Sequence, residues 1–164
     1  MSDKNVFRQS FNRVCALVAL CGPGSQSLRP FLHRLRGVKI YGHTFIGQQV
    51  ILENEYPECI EIHDAELSLR ITVMAHFRGH GKVIFEPRSW VGPGCYILAS
   101  EPDQILTIGE GSAIAACSLI TKSVPPYTFM GGIPAKPIAK ITVPMTIDTS
   151  YEDFKNGLIR LDKK

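Results

Sequence analysis

The 164-residue sequence has no long apolar run and no strong excess of one charge. Its most apolar stretch, residues 14–21, is too short to span a bilayer and follows a charged, helical segment unlike a secretory leader. We therefore expect no exported precursor. The net charge is +3, and Lys and Arg are scattered along the chain rather than gathered in a stripe. This distribution argues against a nucleic-acid partner.

The sequence also lacks cysteine pairs with metal-type spacing. Its five cysteines are an odd set, and two of them, Cys95 and Cys117, fall at positions where packing of a small residue explains them. The cysteine pattern is therefore typical of a reduced cytoplasmic protein, and we predict that location.

What the sequence does contain is a period of six residues. A bulky apolar residue recurs at every sixth position with a small residue four places later. The clearest pairs are Phe85/Ser89, Val91/Cys95, Ile108/Ser112 and Ile114/Ser118, and the pattern returns upstream at Ile40/Thr44 and Ile46/Val50. This period predicts an all-β solenoid, a left-handed parallel β-helix of hexapeptide repeats, from about residue 38 to 124. Residues 100–104 break the period and are expected to loop out of the coil.

Helical patterns flank the solenoid on both sides. In residues 1–37, an apolar stripe that includes Phe7, Phe11 and Val14 predicts one helix, and a second begins after Ser27. These helices either cap the open end of the coil, the reading we favour, or rest on an anionic membrane surface. The sequence thus divides into an N-terminal helical cap (1–37), the β-helix domain (38–141) and a C-terminal tail (142–164).

The tail predicts one short helix. Ser150 is placed to cap its N-terminus, with the acidic Asp153 in the first turn, and Phe154, Leu158 and Leu161 would share one face. We expect this helix to pack on the solenoid.

The repeat is irregular in one place. Between Ile62 and His76 the chain is one residue shorter than the usual spacing, and Ser68 or Leu69 stands where a repeat would prefer isoleucine followed by glycine. We therefore predict a distorted coil there, and a strong distortion would rotate His76 away from any site.

Two segments carry a family resemblance. Residues 121–136, which include Pro125-Pro126-Tyr127 and Gly131-Gly132-Ile133-Pro134-Ala135-Lys136, resemble the C-terminal signature of hexapeptide-repeat O-acetyltransferases of the maltose, galactoside and xenobiotic type. Residues 89–92 add to the match. The resemblance implies a homotrimer whose active sites lie between neighbouring prisms, with acetyl-coenzyme A extended along the groove and no metal. Since a solid prism has no internal pocket, a groove shared between subunits is physically sensible.

Transfer of an acetyl group to a hydroxyl needs a base, and histidine suits that task near neutral pH. His76 stands where the family's catalytic histidine follows an aliphatic pair. His80 is the second candidate, and His80 and Arg78 are possible acceptor-binding residues. For the cofactor, the resemblance points to Trp90 beside the thioester, to small residues that permit close approach, and to lysines that bind phosphate. The predicted cofactor-binding set is Trp90, Gly92, Ala115, Ala116, Thr121, Lys122 and Lys136.

By resemblance the acceptor is a small molecule or glycan, with a hydroxyl of a sugar or glycan precursor in polysaccharide biosynthesis as the leading reading. Two alternatives stay open. One is a zinc hydro-lyase of the gamma carbonic anhydrase type, which would recruit His63, His76 and His80 as ligands. The other is a trimeric β-helix that has lost catalysis and acts as a binding or scaffold protein.

Overall fold

The centre of the chain is a parallel β-solenoid. A computed structural model describes residues 6–76 and 79–161. Twelve short strands build the coils: β1 (Lys39–Tyr41), β2 (Phe45–Ile46), β3 (Ile51–Leu52), β4 (Ile60–His63), β5 (Glu66–Leu67), β6 (Thr72–Met74), β7 (Lys82–Phe85), β8 (Trp90–Val91), β9 (Tyr96–Leu98), β10 (Ile105–Ile108), β11 (Ala113–Ile114) and β12 (Leu119–Ile120).

The coils stack into three sheets. Sheet A holds β1, β4, β7 and β10; sheet B holds β2, β5, β8 and β11; and sheet C holds β3, β6, β9 and β12. Every pairing among these strands is parallel, so each coil adds one strand to each face of a triangular prism. This architecture confirms the predicted β-helix.

The six-residue period identifies the core. Phe85, Val91, Ile108 and Ile114 are all fully buried and belong to one continuous hydrophobic cluster that runs through the coils. The predicted loop at residues 100–104 also leaves the coil, where the Gln104 side-chain oxygen accepts hydrogen bonds from the backbone N–H groups of Ser100 and Glu101.

The irregular coil before His76 is less distorted than predicted. β5 pairs with β2 and β8, and β6 pairs with β3 and β9, so the coil stays in register with both neighbours. The interior residue is the fully buried Leu67, not Ser68 or Leu69. The chain is short only at the corner between β4 and β5, where Asp64 adopts a left-handed φ of 47°. The prediction of a distorted coil was wrong because one corner absorbs the missing residue.

Helices α1 (Val6–Cys21) and α2 (Leu28–Leu35) cover the first coil. Three arginines bind one main-chain carbonyl in each of its strands. Arg34 donates to Ile40 O at 3.1 Å, Arg29 to Ile46 O at 2.9 Å, and Arg36 to Leu52 O at 2.8 Å. The predicted cap is therefore present, and side-chain donors satisfy carbonyls that would otherwise lack a partner.

The apolar stripe of these helices does not face the coil. α1 buries Asn12, Cys15 and Ala19, whereas Phe7, Phe11, Val14 and Val18 of the stripe are exposed. A ring of backbone carbonyls demands donors rather than apolar atoms, so α2 turns Arg29 inward, whereas the buried face of α1 holds one polar and two small residues. None of the described helices combines the length and apolarity needed to cross a bilayer.

The other end of the solenoid is closed by backbone. β13 (Thr128–Gly132) extends sheet B in parallel to β11, and β14 (Ala135–Ile141) and β15 (Leu158–Arg160) follow antiparallel. Helix α3 (Tyr151–Asn156) lies between β14 and β15 in the chain, and the Ser150 hydroxyl at its N-cap accepts a hydrogen bond from Asp153 N as predicted. The helix ends before Leu158, which lies in β15, and Leu161 follows that strand. The predicted helical face therefore stops at the buried Phe154.

Candidate active site

His76 lies at an outer corner of the solenoid, two residues after β6. Alternation along the strand points Val73 and Ala75 inward, and both are fully buried. His76 therefore projects outward, with its side chain 28% exposed. The corner places the imidazole beside sheet C, where a second molecule can reach it.

Glu53 holds the imidazole from the coil below. It follows β3 directly, and its carboxylate accepts a hydrogen bond from His76 Nδ1. The same carboxylate accepts from the backbone N–H groups of Glu55 at 3.0 Å and Ala75 at 3.3 Å. Burial favours the neutral acid, but the hydrogen bonds from His76 and these two amides outweigh it and lower the pKa of Glu53. Glu53 is therefore ionised near neutral pH.

The ionised carboxylate fixes the state of the ring. An ionised carboxylate can only accept, so Nδ1 carries the proton that it donates to Glu53. In the neutral ring Nε2 is then the nitrogen with a free lone pair. The contact thus leaves the outward-facing nitrogen as the proton acceptor.

Aromatic and acidic side chains surround that nitrogen. Tyr56 meets His76 edge to face with ring centroids 5.2 Å apart, and it meets His80 in the same way at 4.5 Å. Glu55 Oε2 lies 3.8 Å from His76 Nε2. The structure thus brings His80, the second candidate, next to the His76 site through one shared tyrosine. Arg78, the other predicted acceptor-binding residue, lies outside the described residues.

Three of the predicted cofactor residues line one cavity at the C-terminal end. Thr121, Lys122 and Lys136 surround a space of about 450 Å³ together with residues of the β13–β14 hairpin. Thr121 continues sheet C beyond β12, in the row that contains Glu53, Met74 and Leu98. Neighbouring coils are about 4.8 Å apart, so Thr121 lies roughly 10 Å along the solenoid axis from Met74. The lysine cavity and His76 therefore share one edge of the prism.

The other four predicted cofactor residues contact parts of their own chain or lie at its surface. Trp90 packs in a cluster with Ala113, Ile141 and Phe154, so its indole does have neighbours in its own chain. A side chain at Gly92 would collide with Ile114 O and Ala116 N, so the group that approaches Gly92 closely is the next coil. Ala115 contacts the hairpin at Gly131, and Ala116 is exposed at the corner. Cofactor contact by these four residues stays a prediction.

Sequence reasoning missed Glu53. Its signal is the offset between coils: Leu52 pairs with Val73, so residues 21 apart stand one above the other. Applying that offset to His76 points to Glu55, and Glu53, two residues earlier, is the first acidic residue of the chain after Asp3. In the described parts of the chain, no group of three His, Cys, Asp or Glu side chains is arranged to hold a metal ion.

Comparison with curated proteins finds acetyltransferases. The chain is 33% identical over 96 residues to an inferred acetyltransferase of Schizosaccharomyces pombe and 30% identical over 82 residues to a chloramphenicol acetyltransferase of Escherichia coli. These alignments cover 58% and 48% of this chain, but only 42% and 37% of the relatives. The chain thus matches less than half the length of either relative. No protein-family model matches the chain.

Solved structures show the same architecture. A hexapeptide-repeat acetyltransferase from Vibrio cholerae, also solved with acetyl-coenzyme A, aligns at 20% identity and a TM-score of 0.63, covering 82% of this chain and 90% of that one. A maltose O-acetyltransferase from Clostridium difficile aligns at 18% identity and a TM-score of 0.58 over 84% and 88%. At these identities the likeness establishes the fold.

A third structure is more similar in sequence. AntD, an N-acyltransferase from Bacillus cereus solved with dTDP and coenzyme A, is 26% identical with a TM-score of 0.54, over 63% of both chains. Together these neighbours confirm the resemblance to hexapeptide-repeat acetyltransferases that the sequence indicates.

Proposed function

We propose that this chain is an acetyltransferase that uses acetyl-coenzyme A to acetylate a hydroxyl group, with His76 as its general base. The observation that carries the proposal is the buried, ionised Glu53 holding Nδ1 of an outward-facing His76. A structural histidine at an exposed corner needs no such partner. A catalytic one does, because its ring must keep one orientation and its charge must be stabilised after proton transfer.

In the proposed reaction, His76 and Glu53 are the only protein groups needed to move the proton and stabilise charge. His76 Nε2 takes the proton of the acceptor hydroxyl while its oxygen attacks the thioester carbonyl carbon. The C–S bond of the tetrahedral intermediate then breaks, and the departing coenzyme A sulfur takes the proton from the imidazolium. Glu53 keeps its negative charge throughout and stabilises the imidazolium by its hydrogen bond to Nδ1.

The cofactor would lie along the edge that joins the two parts of the site. At one end, Lys122 and Lys136 provide two cations that would bind phosphate groups. At the other end, the thioester would lie beside His76. The acetyl-coenzyme A and coenzyme A complexes of the Vibrio cholerae and Bacillus cereus neighbours support this donor.

A second copy of the chain would complete the groove. The cavity at His76 in one chain measures about 240 Å³. The outer surface of sheet C forms its one wall, and the opposite side has no wall from the described part of the same chain. Ligand sites that bury most of their ligand measure about 300–1,000 Å³. A closed trimer supplies the missing wall three times over, as the sequence resemblance implies.

An amine acceptor is the second candidate. The match to the N-acyltransferase AntD, the most similar in sequence of the three solved structures, favours it. The same base could remove the proton from an amine that attacks the thioester. The sugar or glycan hydroxyl is carried by resemblance alone, and the similarity to acetyltransferases and an N-acyltransferase does not favour the zinc enzyme or the scaffold protein.

The test combines mass with turnover. Light scattering of the purified protein should give three times the mass of the 18.2 kDa chain, because the groove needs a second wall. Release of coenzyme A thiol from acetyl-coenzyme A should then be measured with panels of sugar, aliphatic and aromatic alcohols and with matched amines. A monomer that binds no acetyl-coenzyme A would overturn the proposal, whereas amine-only turnover would select the second candidate.

A further inference from the structure

A second cavity adjoins the His76 site and has its own chemistry. It lies between α1 and the first coil, measures about 250 Å³, and is walled mainly by apolar side chains. Its lining residues are Arg13, Ala16, Leu17, Leu20, Arg36, Val50, Ile51, Leu52 and Asn54. No part of the proposed catalytic machinery accounts for it.

The cavity shares a wall with the site. Ile51 and Asn54 line both this space and the cavity at His76. The two cavities, about 250 and 240 Å³, together reach the volume of ordinary small-molecule sites. A molecule that presents a hydroxyl to His76 therefore has room to extend beneath α1.

Charge differs between the two ends of this combined space. Glu53 and Glu55 lie at the His76 end, whereas the helical end carries Arg13 and Arg36 and no acidic residue. Arg36 is 1% exposed, and although it binds the carbonyls of Leu52 and Glu53, its Nε has no hydrogen-bond partner among the described residues. A buried guanidinium with a spare donor favours an anionic partner. The described part of the chain before Glu53 contains no Asp or Glu, and the Glu53 carboxylate, whose charge acts on Arg36, is already bound to His76 and to the backbone N–H groups of Glu55 and Ala75.

We propose that the acceptor is an anionic amphiphile: a hydroxyl compound with an apolar segment under α1 and an anionic group directed at Arg13 and Arg36. This inference rests on the proposed function and narrows its acceptor. A free neutral sugar offers neither the apolar area that Leu17, Leu20 and Ile51 would cover nor a charge for the arginines. A hydroxyl carried by an aliphatic or aromatic acid, or by a lipid phosphate, offers both.

Binding of two matched probes tests the charge requirement without turnover. Calorimetry should show that 8-hydroxyoctanoate binds the 164-residue protein at least tenfold more tightly than its methyl ester, which has the same chain and hydroxyl but no charge. Arg13→Gln should reduce this preference, because only Arg36 would then face the carboxylate. Arg8→Gln, the same change on the same helix but outside the cavity, should preserve it. Arg36 is left intact because its variant would also uncap the first coil.

A filling variant tests the location. Ala16→Trp, at a residue that lines only the cavity under α1, should weaken binding of both probes at least tenfold while acetyl-coenzyme A binding, measured on the same preparation, stays within twofold. Equal affinity for the two probes, a preference that Arg13→Gln leaves unchanged, or undiminished binding in Ala16→Trp would each overturn this inference. The proposed function fails by a different readout, namely absence of acetyl-coenzyme A binding or of His76-dependent transfer to any acceptor.

Discussion

The two ends of the solenoid face the same problem and are closed in opposite ways. At the N-terminal end, α1 and α2 cover the first coil, and Arg29, Arg34 and Arg36 bind its carbonyls. At the C-terminal end, β13 and β14 prolong sheet B, and an apolar cluster around Phe154 packs over Trp90. The comparison teaches that an open backbone edge can be covered by side-chain donors or by more backbone, with different energetic consequences.

The same two ends divide the proposed chemistry. The first two coils supply Glu53 and His76, whereas Lys122 and Lys136 belong to the last coil and its hairpin. Variants at one end should therefore change turnover, and variants at the other end should change donor binding.

His76→Ala is the sharpest test of that division. Loss of the base should reduce kcat by about 10²–10⁴-fold, while the KM for acetyl-coenzyme A changes little because the phosphates bind at the other end. Steady-state kinetics on the true acceptor measure both. His80→Ala, which changes the histidine on the other side of Tyr56, should reduce kcat far less. A near-normal kcat in His76→Ala would instead indicate that His80 is the base.

Glu53→Gln asks whether the partner acts through charge or only through geometry. Glutamine still accepts a hydrogen bond from Nδ1 but cannot stabilise the imidazolium, so kcat should fall less than in His76→Ala, again without change in donor KM. Unfolding curves should be recorded alongside, because Glu53 is buried. Unchanged kcat in a folded Glu53→Gln protein would reduce Glu53 to a structural residue.

Phe154→Ala examines how the C-terminal end is sealed. Phe154 is 5% exposed and meets Phe129 edge to face at 5.7 Å. Its truncation should lower the free energy of unfolding by about 3–5 kcal/mol, measured by denaturant titration. Tyr151→Ala, in the same helix but 68% exposed, should change it by less than about 0.5 kcal/mol. Equal effects of the two variants would mean that the cluster does not seal this end.

Lys136→Ala examines donor binding at the same end. A lost charge-assisted contact costs about 1.5–3 kcal/mol, so the KM for acetyl-coenzyme A should rise roughly 10- to 100-fold with little change in kcat. Lys140→Ala, on the same strand but outside the lysine cavity, is the matched control. Parallel shifts in both variants would indicate a general charge effect rather than a phosphate site.

Acid should weaken the N-terminal end first. Burial, with the nearby Arg36 charge, lowers the pKa of His33 from 6.5 to about 3. The folded protein thus keeps this ring neutral while the unfolded chain binds a proton below pH 6.5, so stability falls as pH drops from 6.5 toward 3, by about 1.4 kcal/mol per pH unit at most.

His33→Leu should remove that dependence on pH. Neither ring nitrogen has a hydrogen-bond partner in the described structure, so leucine leaves no group unsatisfied. Denaturation from pH 7 to 4 should give a flatter profile in His33→Leu, and His43→Leu, at an exposed position, should keep the wild-type slope. Identical slopes in wild type and His33→Leu would contradict the assignment to His33.

The solenoid was predictable because each six-residue repeat contains the residue pattern of its own strand and corner. Phe85, Val91, Ile108 and Ile114 fill the interior at the positions that the period assigns. The orientation of the helices was not predictable from their amphipathic pattern, which favours burial of Phe7 and Phe11. That pattern assumes an apolar partner, whereas the surface beneath the helices is a ring of carbonyls.

The candidate site was predictable only in part. The resemblance pointed to His76 and Lys136, but Glu53 is joined to His76 by stacking of coils across 23 residues. Such a contact becomes visible only when the offset between coils is known. The place of Trp90 depended on the C-terminal tail folding back over sheet B, a long-range event that no local pattern encodes.

The arginine cap has a consequence for synthesis on the ribosome. α1 and α2 precede the coils they cover, so the first coil emerges into solution with its guanidinium donors already made. The opposite edge stays open as each coil is added and closes only when β13 and β14 have left the exit tunnel. A nascent solenoid therefore exposes a pairing edge on its growing side alone, and we expect chaperone contact to concentrate there until the hairpin forms.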